Sequence, residues 1–127
     1  MHTTSKAALD KATTELEQVA QDSSGSDELD RISQELFGVA GMLESHLQLR
    51  RYLVDGSVPE EARTNLVDGV LSDKVSESTL RVLRSLVAAR PSTPTDLLAA
   101  VEELGRDATL AHAEARASSH GMIFSAV

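Results

Sequence analysis

Between Leu29 and Leu47 a stripe of apolar side chains falls at positions 29, 32, 36, 39, 40, 43 and 47, three or four residues apart once the pair 39–40 is taken as one step. That rhythm matches the turn of an α-helix and not the two-residue alternation of a half-buried strand. It recurs along the chain. Leu9, Ala12, Leu16, Val19 and Ala20 predict a first amphipathic helix from Ser5 to about Gln21. The segment DSSGSDE then breaks the pattern at Gly25, and Ser26 or Asp27 is placed to cap the second helix. In that second helix Phe37 lies just off the stripe, and Gly38 and Gly41 leave room for a neighbouring helix to approach closely.

Four further helices follow. Leu49, Leu53 and Val54 make a short third one, ended by Asp55–Gly56. The run Ser57-Val58-Pro59-Glu60 reads as a capping box: the serine oxygen accepts a helix amide, Glu60 reaches back, and Pro59 has no surplus donor to place in the first turn. The fourth helix then runs through Ala62, Leu66, Val70 and Leu71, and Ser76 caps the fifth. RPSTP is a stiff connector, with Thr93 and Asp96 forming a second box-like start. Leu97, Val101, Leu104, Ala108, Ala111 and Ala115 give the last helix a single stripe. With no alternating pattern and no internal repeat, the expected fold is all-α, a compact bundle of about six helices over residues 1–117. Residues 118–127, with apolar Met122, Ile123 and Phe124, are expected to form a tail, either left by truncation or docked back on the bundle.

Composition narrows what such a bundle can do. Aromatic residues make up 2% of the chain, so the core is aliphatic and base stacking is essentially unavailable. Twelve basic residues against 20 acidic ones give a net charge of −8, which repels phosphate backbones and argues against a nucleic-acid partner. Without cysteine there is neither disulfide nor thiolate chemistry, in keeping with a reducing compartment. No apolar run approaches the roughly 18 residues that cross a bilayer, so no direct membrane insertion is expected. The opening MHTTSKAALDK lacks the apolar segment of a secretory signal.

The residue patterns offer little chemistry. His2, His46, His112 and His120 show no i, i+4 pairing with a glutamate, and Glu103 to His112 does not give a Glu-x-x-His metal spacing. There is no phosphate loop and no serine elbow. Glu60–Glu61 and Glu102–Glu103 read as solvated charge, and Arg50 and Arg51 as a solvated or inter-helix face. No catalytic residue, metal or cofactor is therefore expected. The stretch KVSESTLRVLRSL resembles half of a helix-turn-helix, but beyond its arginines the helix is mostly Leu, Val and Ala.

That fifth helix carries two apolar stripes, Leu80–Leu83–Val87 and Val82–Leu86–Ala89. Docking on a bundle takes one stripe, so the second implies either full burial or a surface for a partner helix.

Several stretches, in order, carry a resemblance: ELFGVAGML, LRRYLVDGSVPEEAR, SDKVSESTLRVL and LLAAVEELGRDA. Across Asp27 to Arg116 the chain resembles the delta subunit of actinobacterial F-type ATP synthase, whose mitochondrial counterpart is the oligomycin-sensitivity-conferring protein. The resemblance implies a six-helix amino-terminal domain and a non-catalytic stator on the cytoplasmic face of the cell membrane. It also implies that this domain grips the amino-terminal helix of an alpha subunit, on top of the catalytic head, between its first and fifth helices. Carried onto this chain, that groove is Leu9, Ala12, Leu16 and Val19 facing Leu80, Val82, Leu83, Leu86 and Val87. The family's carboxy-terminal domain engages the peripheral stalk b subunit; the ending ASSHGMIFSAV does not resemble it, so the resemblance supports the head-binding half alone. The alternative reading is a free-standing helical adaptor or a helix-turn-helix-like regulator.

Overall fold

The computed structural model describes residues 3–22 and 26–125 and, within them, the side chains of all but Ser26 and residues 116–125. It contains six α-helices, α1 (Thr3–Asp22), α2 (Ser26–Ser45), α3 (Leu47–Leu53), α4 (Glu60–Leu71), α5 (Glu77–Ala89) and α6 (Pro94–Ser125), and no strand among the described residues. The all-α six-helix reading holds. Gly25, the Ser26 side-chain cap, His2 and the side chains of His120, Met122, Ile123 and Phe124 lie outside what is described.

Packing follows the stripes. α2 lies along α6, α1 lies along both α5 and α6, α4 packs on α5, and α3 closes against α6 and α2. Sequence neighbours are mostly not spatial neighbours. The core is continuous and aliphatic: Ile32, Leu36, Leu86, Val82, Val101, Leu104 and Ala108 are fully enclosed. Among the described residues a small void of about 20 Å³ lies between α2, α3, α4, α5 and α6, walled only by aliphatic side chains and Met42, so it offers a water no partner.

Polar staples fix the helix ends. The buried Ser5 hydroxyl accepts the Ser92 N–H at 2.8 Å, tying α1 to the α5–α6 connector. Glu35 of α2 accepts from the Ser76 N–H, the Ser76 hydroxyl and the Thr79 hydroxyl. Ser76 does occupy the N-cap of α5, but its side chain does not cap the helix; a carboxylate 41 residues earlier receives its donors. Thr93 behaves as the sequence indicates, its hydroxyl accepting the Asp96 N–H at 3.0 Å.

Four local expectations are corrected. The Ser57–Glu60 capping box does not form. Ser57 gives both its N–H and its hydroxyl to Asp55 Oδ1, and α4 starts with Pro59 at the N-cap. Asp55 wins because it is an anion two residues away that can take both donors in one turn; those bonds, helped by the charge of Arg90, hold its carboxyl below the usual range. Gly38 and Gly41 admit no helix among the described residues: a methyl added at either would meet nothing of them within 4 Å, whereas at Gly105 of α6 it would lie 3.0 Å from the Phe37 ring. Leu47 is 41% exposed, because the helix breaks at His46 and Leu47 opens α3 in a new phase. On α4 the buried face is Arg63, Val67 and Leu71, so Ala62, Leu66 and Val70 flank the core instead of filling it.

Arg63 is 5% exposed, a buried cation in a run of the sequence that reads as polar. Its Nε and Nη2 donate to the Val87 and Ala88 carbonyls, and Nη1 to the Val58 carbonyl. Those α5 carbonyls lie at a helix C-terminus, where the backbone dipole favours a cation. The same end is shaped by Arg90, whose φ of 57° lies in the left-handed region usually reserved for glycine. Its guanidinium reaches the Val54 carbonyl at 3.1 Å, so α5 is terminated by two arginines that both grip main chain.

Candidate functional site

The residues that the resemblance assigns to a partner groove come together, but beneath the surface. Ala12, Leu16 and Val19 of α1 and Leu80, Val82, Leu83, Leu86 and Val87 of α5 are all buried, Ala12, Val82 and Leu86 with no exposed surface, and only Leu9 is half-buried. The second stripe of α5 is thus core in this chain. α5 lies between α1 and α4, so each stripe has a helix to cover it.

What the α1–α5 seam offers to solvent is different. Along α5, Arg81, Ser85 and Ala88 share one face at i, i+4 and i+7 and are half-buried. Opposite them on α1, Glu15 receives Arg81 Nη2 at 2.8 Å and Nε at 3.0 Å, and Asp22 lies 3.6 Å from Nη1. The seam is a shallow strip of small side chains with a charge clasp at one end. Ion pairs this exposed contribute little stability and re-pair readily. On the far side of α5, Arg84 binds Asp68 and Glu77, each at 2.7 Å, and the bond from Glu77, with Asp68 beside it, raises the affinity of the guanidinium for its proton.

Two further concave regions lie among the described residues beside those seams. A cleft of about 420 Å³ lies between α2 and the α4–α5 turn, bounded by Glu35, Gly38, Met42, Leu71, Lys74 and Val75. Its carboxylate is already engaged with Ser76 and Thr79. The second, between α1 and α6, holds about 260 Å³.

The histidines and arginines weighed from the sequence are dispersed. His46 is exposed and its Nδ1 donates to the Met42 carbonyl at 2.7 Å. Arg51 is exposed; Arg50 is half-buried, its Nε covered and without a hydrogen-bond partner among the described residues. No cluster of three or more His, Asp or Glu side chains suited to a metal ion occurs among the described residues. No described helix is long and apolar enough to cross a membrane.

The model of the ATP synthase delta (OSCP) subunit family matches residues 5–108, from the first turn of α1 to the middle of α6. Among curated proteins the chain is similar to ATP synthase subunit delta of Parafrankia sp. (strain EAN1pec), 41% identical over 88 residues, 69% of this chain and 32% of that protein. It is similar in the same way to ATP synthase subunit delta of Thermobifida fusca (strain YX), 41% identical over 86 residues, 67% of this chain and 32% of that protein. With ATP synthase subunit delta of Corynebacterium kroppenstedtii it shares 32% identity over 115 residues, 91% of this chain and 42% of the relative. The chain therefore spans between about a third and two fifths of the length of these curated relatives.

Proposed function

The chain belongs to the ATP synthase delta (OSCP) subunit family, and from that premise we propose that it is a non-catalytic stator element of a rotary ATP synthase which receives the amino-terminal helix of an alpha subunit. The observation that carries the reading is the reach of the family match, which covers all of α1 to α5 apart from two residues and the packed part of α6. A stator holds torque without making or breaking bonds, which asks for a stiff bundle and a long-lived interface, not a reactive site. The enclosed aliphatic core and the cross-chain staples at Ser5, Glu35 and Arg63 suit that demand. Attachment to the head would hold the domain at the cytoplasmic face of the membrane, and the peripheral stalk b subunit would be met by parts of the full-length protein beyond this bundle.

The partner helix would lie along the α1–α5 seam. Leu80, Val82, Leu83, Leu86 and Val87 set the spacing of that seam from below, while Glu15, Arg81, Ser85 and Ala88 meet the helix. The 13 residues of α5 present about 20 Å of seam, enough for roughly four turns of a partner.

Calorimetry with a peptide copying the first twenty or so residues of the cognate alpha subunit tests this. Ser85→Glu and Ala88→Glu should weaken binding about tenfold or more, which is about 1.4 kcal/mol, while the thermal melts stay close to the parent's. Val82→Glu and Leu86→Glu place a charge where no surface is exposed and should unfold the chain, so they do not report on binding. A folded protein that neither takes up the peptide nor associates with the isolated catalytic head would overturn the reading.

A further inference from the structure

α1 and α6 each contribute a short matched row to one cleft. Thr13, Leu16, Glu17 and Ala20 follow i, i+3, i+4, i+7 on α1, and Asp107, Leu110, Ala111 and Glu114 repeat that spacing on α6. Together they line the cleft of about 260 Å³. Its floor is aliphatic and its rim is three carboxylates. Leu110, 61% exposed, is the most exposed of the large apolar side chains described, and it stands at this cleft.

We propose that the α1–α6 cleft docks a basic amphipathic helix of a partner protein, at a site separate from the α1–α5 seam. Two parallel helical rows with an apolar trough between them fit a third helix laid along them, with its own apolar stripe against Leu110 and Ala111, above the buried Leu16. The volume is below the range of about 300–1,000 Å³ usual for small-molecule pockets, and suits an anchoring side chain better. Charge sets the chemistry of the occupant. Glu17, Asp107 and Glu114 surround the trough, and Asp107 faces Glu103 and Arg106 on its own helix and Glu17 across the cleft. Partial burial first, and then the neighbouring carboxylates, raise its carboxyl above the usual range against the opposing pull of Arg106. An ammonium or guanidinium brought into the cleft relieves that crowding. A polyanion or an acidic lipid surface would worsen it.

The probe is a designed Leu/Lys amphipathic peptide of about 18 residues, five turns of helix, with a Leu/Glu peptide of the same pattern beside it. The Leu/Lys peptide should bind and weaken with added salt, and the Leu/Glu peptide should not bind. Leu110→Ser, and separately the pair Glu17→Gln and Glu114→Gln, should each lower affinity about tenfold or more. The remote pair Glu60→Gln and Glu61→Gln, at the start of α4, should leave it unchanged. In a carboxyl NMR titration, the Asp107 pKa should fall when the Leu/Lys peptide is present. The proposal is overturned if the remote pair matters as much as the cleft pair, if neither Leu110→Ser nor the cleft pair affects binding, or if the Asp107 titration does not move. This site does not depend on the stator reading. Ser85→Glu should leave Leu/Lys binding intact, and failure of the alpha-subunit peptide leaves these outcomes untouched.

Discussion

Arg63 concentrates the most chemistry in one side chain. An arginine with 5% of its surface exposed carries a charge that would be expensive to bury alone. Here its charge is met by the carbonyls of Val58, Val87 and Ala88, two of them at the negative end of α5. Arg63→Ala removes the donors and leaves those carbonyls short, so unfolding in denaturant should show a loss of about 3 kcal/mol. Arg63→Lys should recover only part, since one ammonium cannot reproduce a planar fork. A loss below about half a kcal/mol for the alanine variant would mean that water replaces the guanidinium. Asp55 works on the same principle at the surface. Its depressed carboxyl pKa makes its contribution present above the unfolded value of 3.8 and lost as the pH falls through the lower folded value. Neither residue could be recognised from local spacing: Arg63 sits in a run that reads as polar, and Asp55 competes with a serine motif that looks complete by itself.

The elements show where glycine is used and where it is idle. Gly38 and Gly41 sit mid-helix with open space around them, so Gly38→Ala or Gly41→Ala should raise stability by about 0.5–1 kcal/mol from backbone entropy alone. Gly105→Ala should fall short of that gain, because the new methyl meets the Phe37 ring at 3.0–3.2 Å where α2 crosses α6. In a Phe37→Ala background the same substitution should regain the full increment, and a double-mutant cycle measures the coupling directly. Additive effects would show that the ring simply swings outward. At this scale the sequence was most readable. The helices and the single stripe of α6 follow from spacing, because a buried face must repeat with the turn of the helix. Partner choice was not. Two stripes on α5 look the same whether a helix of this chain or of another covers them, and the answer lies in α1 and α4, one of them more than fifty residues away in sequence. The cap of Ser76 was hidden for the same reason, since Glu35 reaches it only through the tertiary fold.

At the scale of the whole molecule a single core unites all six helices, so damage at either end of the chain should be felt globally. Leu36 and Leu104, fully enclosed on α2 and α6, should each cost about 2–5 kcal/mol as alanine. Against a total stability of about 5–15 kcal/mol, the pair together would leave little folded protein at physiological temperature, as circular dichroism melts would show. The clasp between Ser5 and Ser92 has a consequence in time as well as in space. It joins residues 87 apart, and the α1–α5 and α2–α6 seams likewise bring together distant parts of the chain. Such wiring slows folding relative to bundles whose consecutive helices are partners. On the ribosome, α1 emerges well before α5, and at about 5–20 residues per second the interval is several seconds. Through that interval Ala8, Ala12, Leu16 and Val19 have no α5 to meet. The α5 of a neighbouring nascent chain offers them the same surface, so dense synthesis invites exchange of the first helix between copies.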